Sequence, residues 1–215
     1  YDSILGSVVG KSATVSGWPE SLRWIDADTA KAAWEALAPG GEVHATARTT
    51  GNFERFQPLL TKQLSRCLRP DRALAGLANF VGRYGARSLL YESLCVSPKA
   101  LELLVGFFES SAFLGPKLVA RPELFEEVTQ GDLDSERTAQ DHRKAWKLPK
   151  DSEEAMEGVR AYLTGEELRI AIRGLLGLQG VDGLQRELTA LADACLGWAW
   201  EFAGKQKWAF VGLGK

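Results

Sequence analysis

The tract of the sequence with the chemistry of a phosphate cradle is Gly212-Leu213-Gly214-Lys215. Glycines let backbone N–H groups approach an anion, and a lysine adds charge. The tract follows Trp208-Ala209-Phe210-Val211, residues that favour an extended strand. It lacks the further glycine and Ser/Thr of a P-loop, and it lacks the G-x-G-x-x-G of a dinucleotide fold. As a bare tetrapeptide it reads as a plain turn, with Gly212, Gly214 and Lys215 as an incomplete nucleotide-binding set. The other chemically capable residues are scattered. His44 and His142 have no Cys, His or carboxylate at metal-ligand spacing on a recognisable face, and both read as surface residues. Cys67, Cys95 and Cys195 each sit on an apolar helical face, with no basic motif to lower a thiol pKa, and read as packed core residues. Glu126-Glu127 and Glu153-Glu154 lie in charged stretches and read as solvated faces. Asp26-Ala27-Asp28 and Asp132-Leu133-Asp134 have Asp-x-Asp spacing, but both stand where helix caps are expected. Catalysis needs a nucleophile with a base, a metal cluster, or opposed carboxylates. The residues predict no catalytic set and no metal site.

The elements that must position these residues are helices. Asp26 or Asp28 caps a helix carrying Ala30, Ala33, Trp34 and Leu37, and Pro39-Gly40-Gly41 stops it. From Asn52, the stripe Phe53, Phe56, Leu60, Leu64 and Cys67 predicts an amphipathic helix. Pro70 opens the next, with Leu74, Leu77, Val81 and Tyr84 on one face. Gly82 and Gly85 fall inside that helix, for close approach of a neighbour or for a kink. Ser97-Pro98 begins a helix with Leu101, Leu104, Val105 and Phe108, and shorter helices follow around Leu114 and after Pro122. Residues 130–153 are mostly charged and predict an exposed helix or a mobile connector. Thr164 and Glu167 fit a capping box ahead of Leu168, Ala171, Ile172 and Leu175, with Gly180 closing that helix. The strongest period follows in Val181, Leu184, Leu188, Leu191, Cys195, Trp198 and Phe202, with Gly204 as C-cap. This stripe predicts a central helix whose Leu188→Ala and Leu191→Ala changes each cost about 2–5 kcal/mol. Residues 1–25 fit two short strands or a loose arm. No repeat of fixed period is visible.

The predicted class is all-α: a multi-helix bundle with a short terminal β-strand stub and a possible small N-terminal hairpin. The expected divisions are an arm and one helix over 1–51, a helical bundle over 52–205 with its charged connector at about 130–153, and a strand and glycine turn over 206–215. The chain has 215 residues, 45% hydrophobic and 25% charged, an ordinary globular composition. Its net charge of −2 provides no field to steer it to nucleic acid or anionic lipid. Its apolar runs are too short for a transmembrane helix, and no leader resembling a signal peptide is visible. Three widely spaced cysteines fit reduced thiols of a cytoplasmic protein, with no disulfide-linked partner. The single methionine is Met156 while the sequence opens at Tyr1, which predicts a natural protein extending upstream.

A succession of segments carries more information than any one of them. Arg83-Tyr84-Gly85-Ala86-Arg87-Ser88-Leu89-Leu90-Tyr91 precedes Ser97-Pro98-Lys99-Ala100-Leu101-Glu102-Leu103-Leu104. Ser110-Ser111-Ala112-Phe113-Leu114 and Arg121-Pro122-Glu123-Leu124 come next. Glu167-Leu168-Arg169-Ile170-Ala171, Leu188-Thr189-Ala190-Leu191-Ala192-Asp193 and Ala209-Phe210-Val211-Gly212-Leu213-Gly214-Lys215 complete the order. Over about residues 52–215, this succession resembles the glutamine synthetase adenylyltransferase / adenylyl-removing enzyme family of bacteria. In that family two nucleotidyltransferase domains flank a helical region. One transfers AMP from ATP to a tyrosine of glutamine synthetase, and the other removes it by phosphorolysis. The resemblance implies Mg and ATP as cofactors of the parent protein. It implies glutamine synthetase and a PII-type signal protein as partners.

By that resemblance the chain is the helical region joining two catalytic halves. Gly212, Gly214 and Lys215 match the family's glycine turn, whose Ser-Asp-x-Asp metal site would lie beyond Lys215. Gly174 stands where many relatives carry Asp after the arginine at 173. The expectation is that the isolated chain is inactive and holds no cofactor. Two other readings compete with it: a stand-alone all-α protein-interaction module, and a helical nucleotide-binding enzyme using the terminal turn.

Overall fold

The computed structural model describes residues 17–39, 46–147, 149 and 151–204. His44, the expected hairpin near Val8 and Thr14, and the strand and turn ending in Gly212, Gly214 and Lys215 lie outside the described residues. The described residues form ten α-helices and no strand, in accord with the predicted all-α class. The chain divides into two compact units, the first ending at Leu101 and the second beginning at Glu102.

The first unit starts at Asp26, whose side chain accepts the Thr29 N–H at 2.9 Å and so caps α1 (Ala27–Leu37). Ala30, Ala33, Trp34 and Leu37 are its buried residues, as their spacing predicts. Thr46 caps α2 (Ala47–Leu64), about two turns before the apolar stripe begins at Phe53. Pro70 occupies the first turn of α3 (Pro70–Tyr84), where its missing N–H has no helical partner to lose. Gly85 ends that helix at φ +82, a left-handed conformation that a β-carbon disfavours. It is a terminator rather than the internal glycine that the periodicity suggests. Gly82 is internal, but no atom lies within 4 Å of where its Cβ would be, so it serves no close packing. α4 (Arg87–Val96) follows at once.

In this unit α1 packs on α3 and α2 on α4. The core is aromatic. Phe56 stacks on Tyr91 with centroids 4.9 Å apart, and Phe53 and Trp34 meet edge to face. The buried Tyr91 hydroxyl donates to the Leu37 carbonyl at 2.8 Å, which satisfies the end of α1. Asn52 ties α2 to the start of α4 by donating to the Ser88 carbonyl at 3.0 Å.

α5 (Pro98–Ser110) leads into the second unit, followed by α6 (Leu114–Ala120) and α7 (Glu123–Gln130). The tract after α7 carries α8 (Ala139–Ala145), started by a capping box between Thr138 and Asp141. α9 runs unbroken from Ser152 to Leu175, with Asp151 as its N-cap. The Thr164–Glu167 motif is therefore no helix start: Thr164 lies within α9 and its hydroxyl donates back to the Arg160 carbonyl at 2.9 Å. α9 ends before Gly177, which has φ +70, and Gly180 is the N-cap of α10 (Val181–Phe202) rather than the stop of α9. Within this unit α10 packs on α8 and α9, and α6 and α7 pack on α9.

The buried face of α10 is rotated from the predicted stripe. Gly183, Glu187, Leu191, Ala194 and Trp198 are its buried residues, whereas Leu188 is 42% exposed. Two conclusions of the periodicity therefore part company. Leu191→Ala should lower the unfolding free energy by about 2–5 kcal/mol, and Leu188→Ala by less than about 1 kcal/mol. Urea unfolding of both variants followed by circular dichroism checks the pair.

Candidate functional site

The second unit buries charge instead of leaving it at the surface. From α9 come Glu166, Arg169 and Arg173, and from α10 comes Glu187, all nearly solvent-free. Arg169 and Arg173 are one turn apart and so share a helix face, with Glu166 three residues ahead. Glu187 presents its carboxylate to both arginines: Oε1 pairs with Arg169 Nη2, and Oε2 accepts from Arg173 Nε at 2.9 Å. Glu166 accepts from Arg169 Nε at 2.8 Å and pairs with Arg137 on its other oxygen.

The loop before α8 closes the network through its backbone. The Arg137 N–H donates to Glu187 Oε1 at 3.1 Å. Arg169 donates to the Ser135 carbonyl at 3.2 Å, and Arg173 donates to the Leu133 carbonyl. A segment that reads as a mobile connector is thus held by two buried arginines and a buried glutamate. Asp132 caps no helix, since α8 begins at Ala139; it accepts the Asp134 and Ser135 N–H groups at 3.0 and 3.2 Å in a turn of the loop.

His142 corrects the sequence reading most sharply. It is fully buried, not a surface residue, and its Nδ1 lies 2.9 Å from the Tyr162 hydroxyl. Nδ1 is also 3.8 Å from Glu166 Oε2, while Nε2 has no hydrogen-bond partner. Burial pushes the His142 pKa below its ordinary 6.5, with Arg169 and Arg137 acting the same way and Glu166 against them. Burial likewise pushes Tyr162 up to about 12, aided by the Glu166 charge, so its hydroxyl stays protonated. For Glu187 burial acts upward, but the hydrogen bonds from Arg169 and the Arg137 N–H prevail and hold it below 4.5. For Arg169 burial acts downward, and the hydrogen bonds to Glu166 and Glu187 overcome it, raising its pKa. The network is built to keep its charges fixed.

An aromatic wall stands beside it. Trp198 meets Trp146 and Tyr162 edge to face at 4.8 and 5.4 Å. Gly158 lets α9 come this close: a Cβ there would stand 2.8 Å from Trp146 Cζ2. A cleft of about 430 Å³ opens over this floor, bordered by Arg121, Glu127, Arg137, Trp146, Tyr162 and Glu166. Among the described residues no group of three or more His, Cys, Asp or Glu side chains is placed to hold a metal ion. The two buried carboxylates have their oxygens on guanidinium groups, so they do not fit a cation site.

The remaining candidates are dispersed. Glu126, Glu127, Glu153 and Glu154 are exposed, as expected of solvated faces. Cys67, Cys95 and Cys195 are free thiols but only partly buried, so they border the cores rather than fill them. Burial pushes the Cys95 and Cys195 thiols up, away from reactivity. No helix of the described residues is long and apolar enough to cross a membrane.

Comparison with known proteins fits this unit best. The family model for glutamate-ammonia ligase adenylyltransferase matches residues 101–213. The bifunctional glutamine synthetase adenylyltransferase/adenylyl-removing enzyme of Neisseria meningitidis serogroup B is 27% identical over 209 residues, covering 89% of this chain and 23% of that protein. The enzyme of the same description from Thioalkalivibrio sulfidiphilus is 25% identical over 185 residues, covering 83% of this chain and 18% of its own length. That from Pseudomonas aeruginosa is 27% identical over 188 residues, covering 82% and 19%. The chain thus spans less than a quarter of the length of these curated relatives. No solved structure matches it.

The network has two measurable consequences. Glu187→Leu leaves Arg169 and Arg173 buried without their shared partner and should cost about 3–5 kcal/mol by urea unfolding. The second concerns pH. The unfolded chain protonates His142 near 6.5 while the folded chain resists, so this contribution is present above pH 6.5 and is lost as pH falls below it. Stability measured from about pH 7 to about pH 5 should decline, and His142→Gln should flatten that decline.

Proposed function

Since the chain belongs to the glutamate-ammonia ligase adenylyltransferase family, we propose that it is a helical linking and regulatory segment of an enzyme that reversibly adenylylates glutamine synthetase. The parent enzyme transfers AMP from ATP to a tyrosine of glutamine synthetase and removes it by phosphorolysis, controlling nitrogen assimilation in the cytoplasm. The observation that carries this reading is the match over residues 101–213, which takes in the whole buried charge network. Arg169 and Arg173 lie inside the matched stretch and bind the α9–α10 pair to the loop before α8. That is an architecture for holding shape. Its two buried carboxylates, Glu166 and Glu187, are paired with arginines.

Residues 206–215 are the start of a nucleotidyltransferase domain in this reading, with Gly212, Gly214 and Lys215 as the first part of its nucleotide turn. Magnesium and ATP belong to that domain, with its paired aspartates beyond Lys215. Glutamine synthetase and a PII-type signal protein are the partners of the whole enzyme. Support for glutamine synthetase comes from the relatives, which are described by their action on it. The partner surface for a PII-type protein rests on the family resemblance.

The competing reading is a stand-alone all-α interaction module. Two measurements separate them. Residues 1–215 incubated with glutamine synthetase, ATP and magnesium should incorporate no AMP above a protein-free blank. The coding sequence past Lys215 should continue through glycines to Ser-Asp-x-Asp. AMP transfer by the isolated chain that survives Lys215→Ala overturns the assignment of catalysis to the neighbouring domains. A stop codon at position 216 of the natural gene overturns the linking role.

A further inference from the structure

The apolar period of α10 is only partly used inside the second unit. With successive residues about 100° apart, Val181, Leu188, Ala192, Leu196, Ala199 and Phe202 fall on one stripe beside the buried face. Four of them are large and open: Val181 is 72% exposed, Phe202 47%, Leu196 43% and Leu188 42%. The stripe runs from the first residue of α10 to its last. Ala192 and Ala199 lie along its middle, where small side chains let another backbone approach closely. Single exposed apolar residues are ordinary; Gln185 interrupts this stripe after Val181, but from Leu188 to Phe202 the apolar residues recur at helical spacing, which marks a contact surface. Its recurrence at helical spacing fits another helix laid along it.

Charge selects the kind of helix. Asp182 and Asp193 lie exposed along one edge of the stripe. Arg186, one turn beyond Asp182, is paired with Glu136 at 2.9 Å and also feels the Asp182 charge. Residues 102–215 carry 19 acidic against 14 basic side chains, so the unit is net negative while the whole chain is nearly neutral. A second copy of the unit would set like charges together, and an anionic membrane would be repelled.

We propose that the α10 stripe seats a basic amphipathic helix supplied by the longer family polypeptide, outside residues 1–215. The choice of source rests on the reading of this chain as a segment of a longer enzyme, and on its spanning less than a quarter of its relatives. The partner helix lays leucine-like residues at three- and four-residue spacing on the stripe. It places lysine or arginine over Asp182 and Asp193.

The test uses the 215-residue chain and three fluorescent peptides of about 18 residues: a Leu/Lys peptide with leucines at helical spacing, a scrambled peptide of the same composition, and a patterned Leu/Glu peptide. The patterned Leu/Lys peptide should bind at least about tenfold more tightly than either of the others. Leu188→Glu should weaken it by about tenfold or more, and Leu196→Glu should do the same if the first variant loses its circular dichroism. Equal binding of the patterned and scrambled peptides overturns the proposal, as does binding that both variants leave unchanged. Self-association through the stripe, or binding to phosphatidylserine vesicles that Leu188→Glu abolishes, also overturns it by assigning the face another occupant. The source is read separately at Cys195, which borders the stripe: its alkylation should be slower in the full-length protein than in residues 1–215. Equal rates overturn the assignment to the longer polypeptide. The AMP-transfer and coding-sequence results bear on the enzyme reading alone.

Discussion

The second unit depends on a carboxylate that has no water. Glu187 is fully buried on α10, and an isolated charge there would be too costly to keep. Its two oxygens are satisfied by Arg169, Arg173 and the Arg137 N–H. The arginines are buried in turn, and their remaining donors need acceptors, which the Ser135 and Leu133 carbonyls supply. Each group is tolerable only because the others are in place. One geometry of α9, α10 and the loop between α7 and α8 meets all these demands at once. Helices packed by leucines alone could slide by a fraction of a turn at small cost, whereas this network has a single register.

That constraint explains why the charged tract after α7 is ordered in spite of its composition. Leu133 and Ser135 are held through their carbonyls, so their side-chain chemistry carries little signal of it, while Arg137 is held through both its N–H and its guanidinium. His142 follows from the same arrangement. The capping box at Thr138 and Asp141 starts α8 just after the pinned loop, and the first turn carries His142 inward to Tyr162. Burial and the neighbouring charges push His142 and Glu187 down and Tyr162 and Arg169 up.

Helices with one dry face were legible in the sequence. Ala30, Ala33, Trp34 and Leu37 in α1 and Phe53, Phe56, Leu60 and Leu64 in α2 are buried as their spacing implies. The charge network was not legible, and the reason lies in α9. Leu168, Arg169, Ile170, Ile172 and Arg173 are all buried, so that helix is enclosed on several sides and has no apolar stripe. The usable signal was the repeated arginine at four-residue spacing inside an apolar run, together with Glu187 interrupting the leucines of α10. α10 misled in the opposite way. Its seven-member apolar pattern suggested one buried face, but the stripe is split between the interior, where Leu191 and Trp198 lie, and the surface, where Val181 and Leu188 lie. Spacing reports which residues share a face, not how many neighbours are present to cover it. The ordered succession of segments from Arg83 onward proved the better guide to family, because it samples many elements between Arg83 and Lys215 rather than one helix.

The account turns on whether Glu187 holds the loop before α8. Amide hydrogen exchange at Arg137, whose N–H is bonded to that carboxylate, reports this directly. The amide should be protected in the wild-type chain and should exchange at the rate of an open loop in Glu187→Leu under conditions where α9 and α10 remain folded. Unchanged protection at Arg137 in that variant would contradict the claim that the buried carboxylate sets the position of the loop.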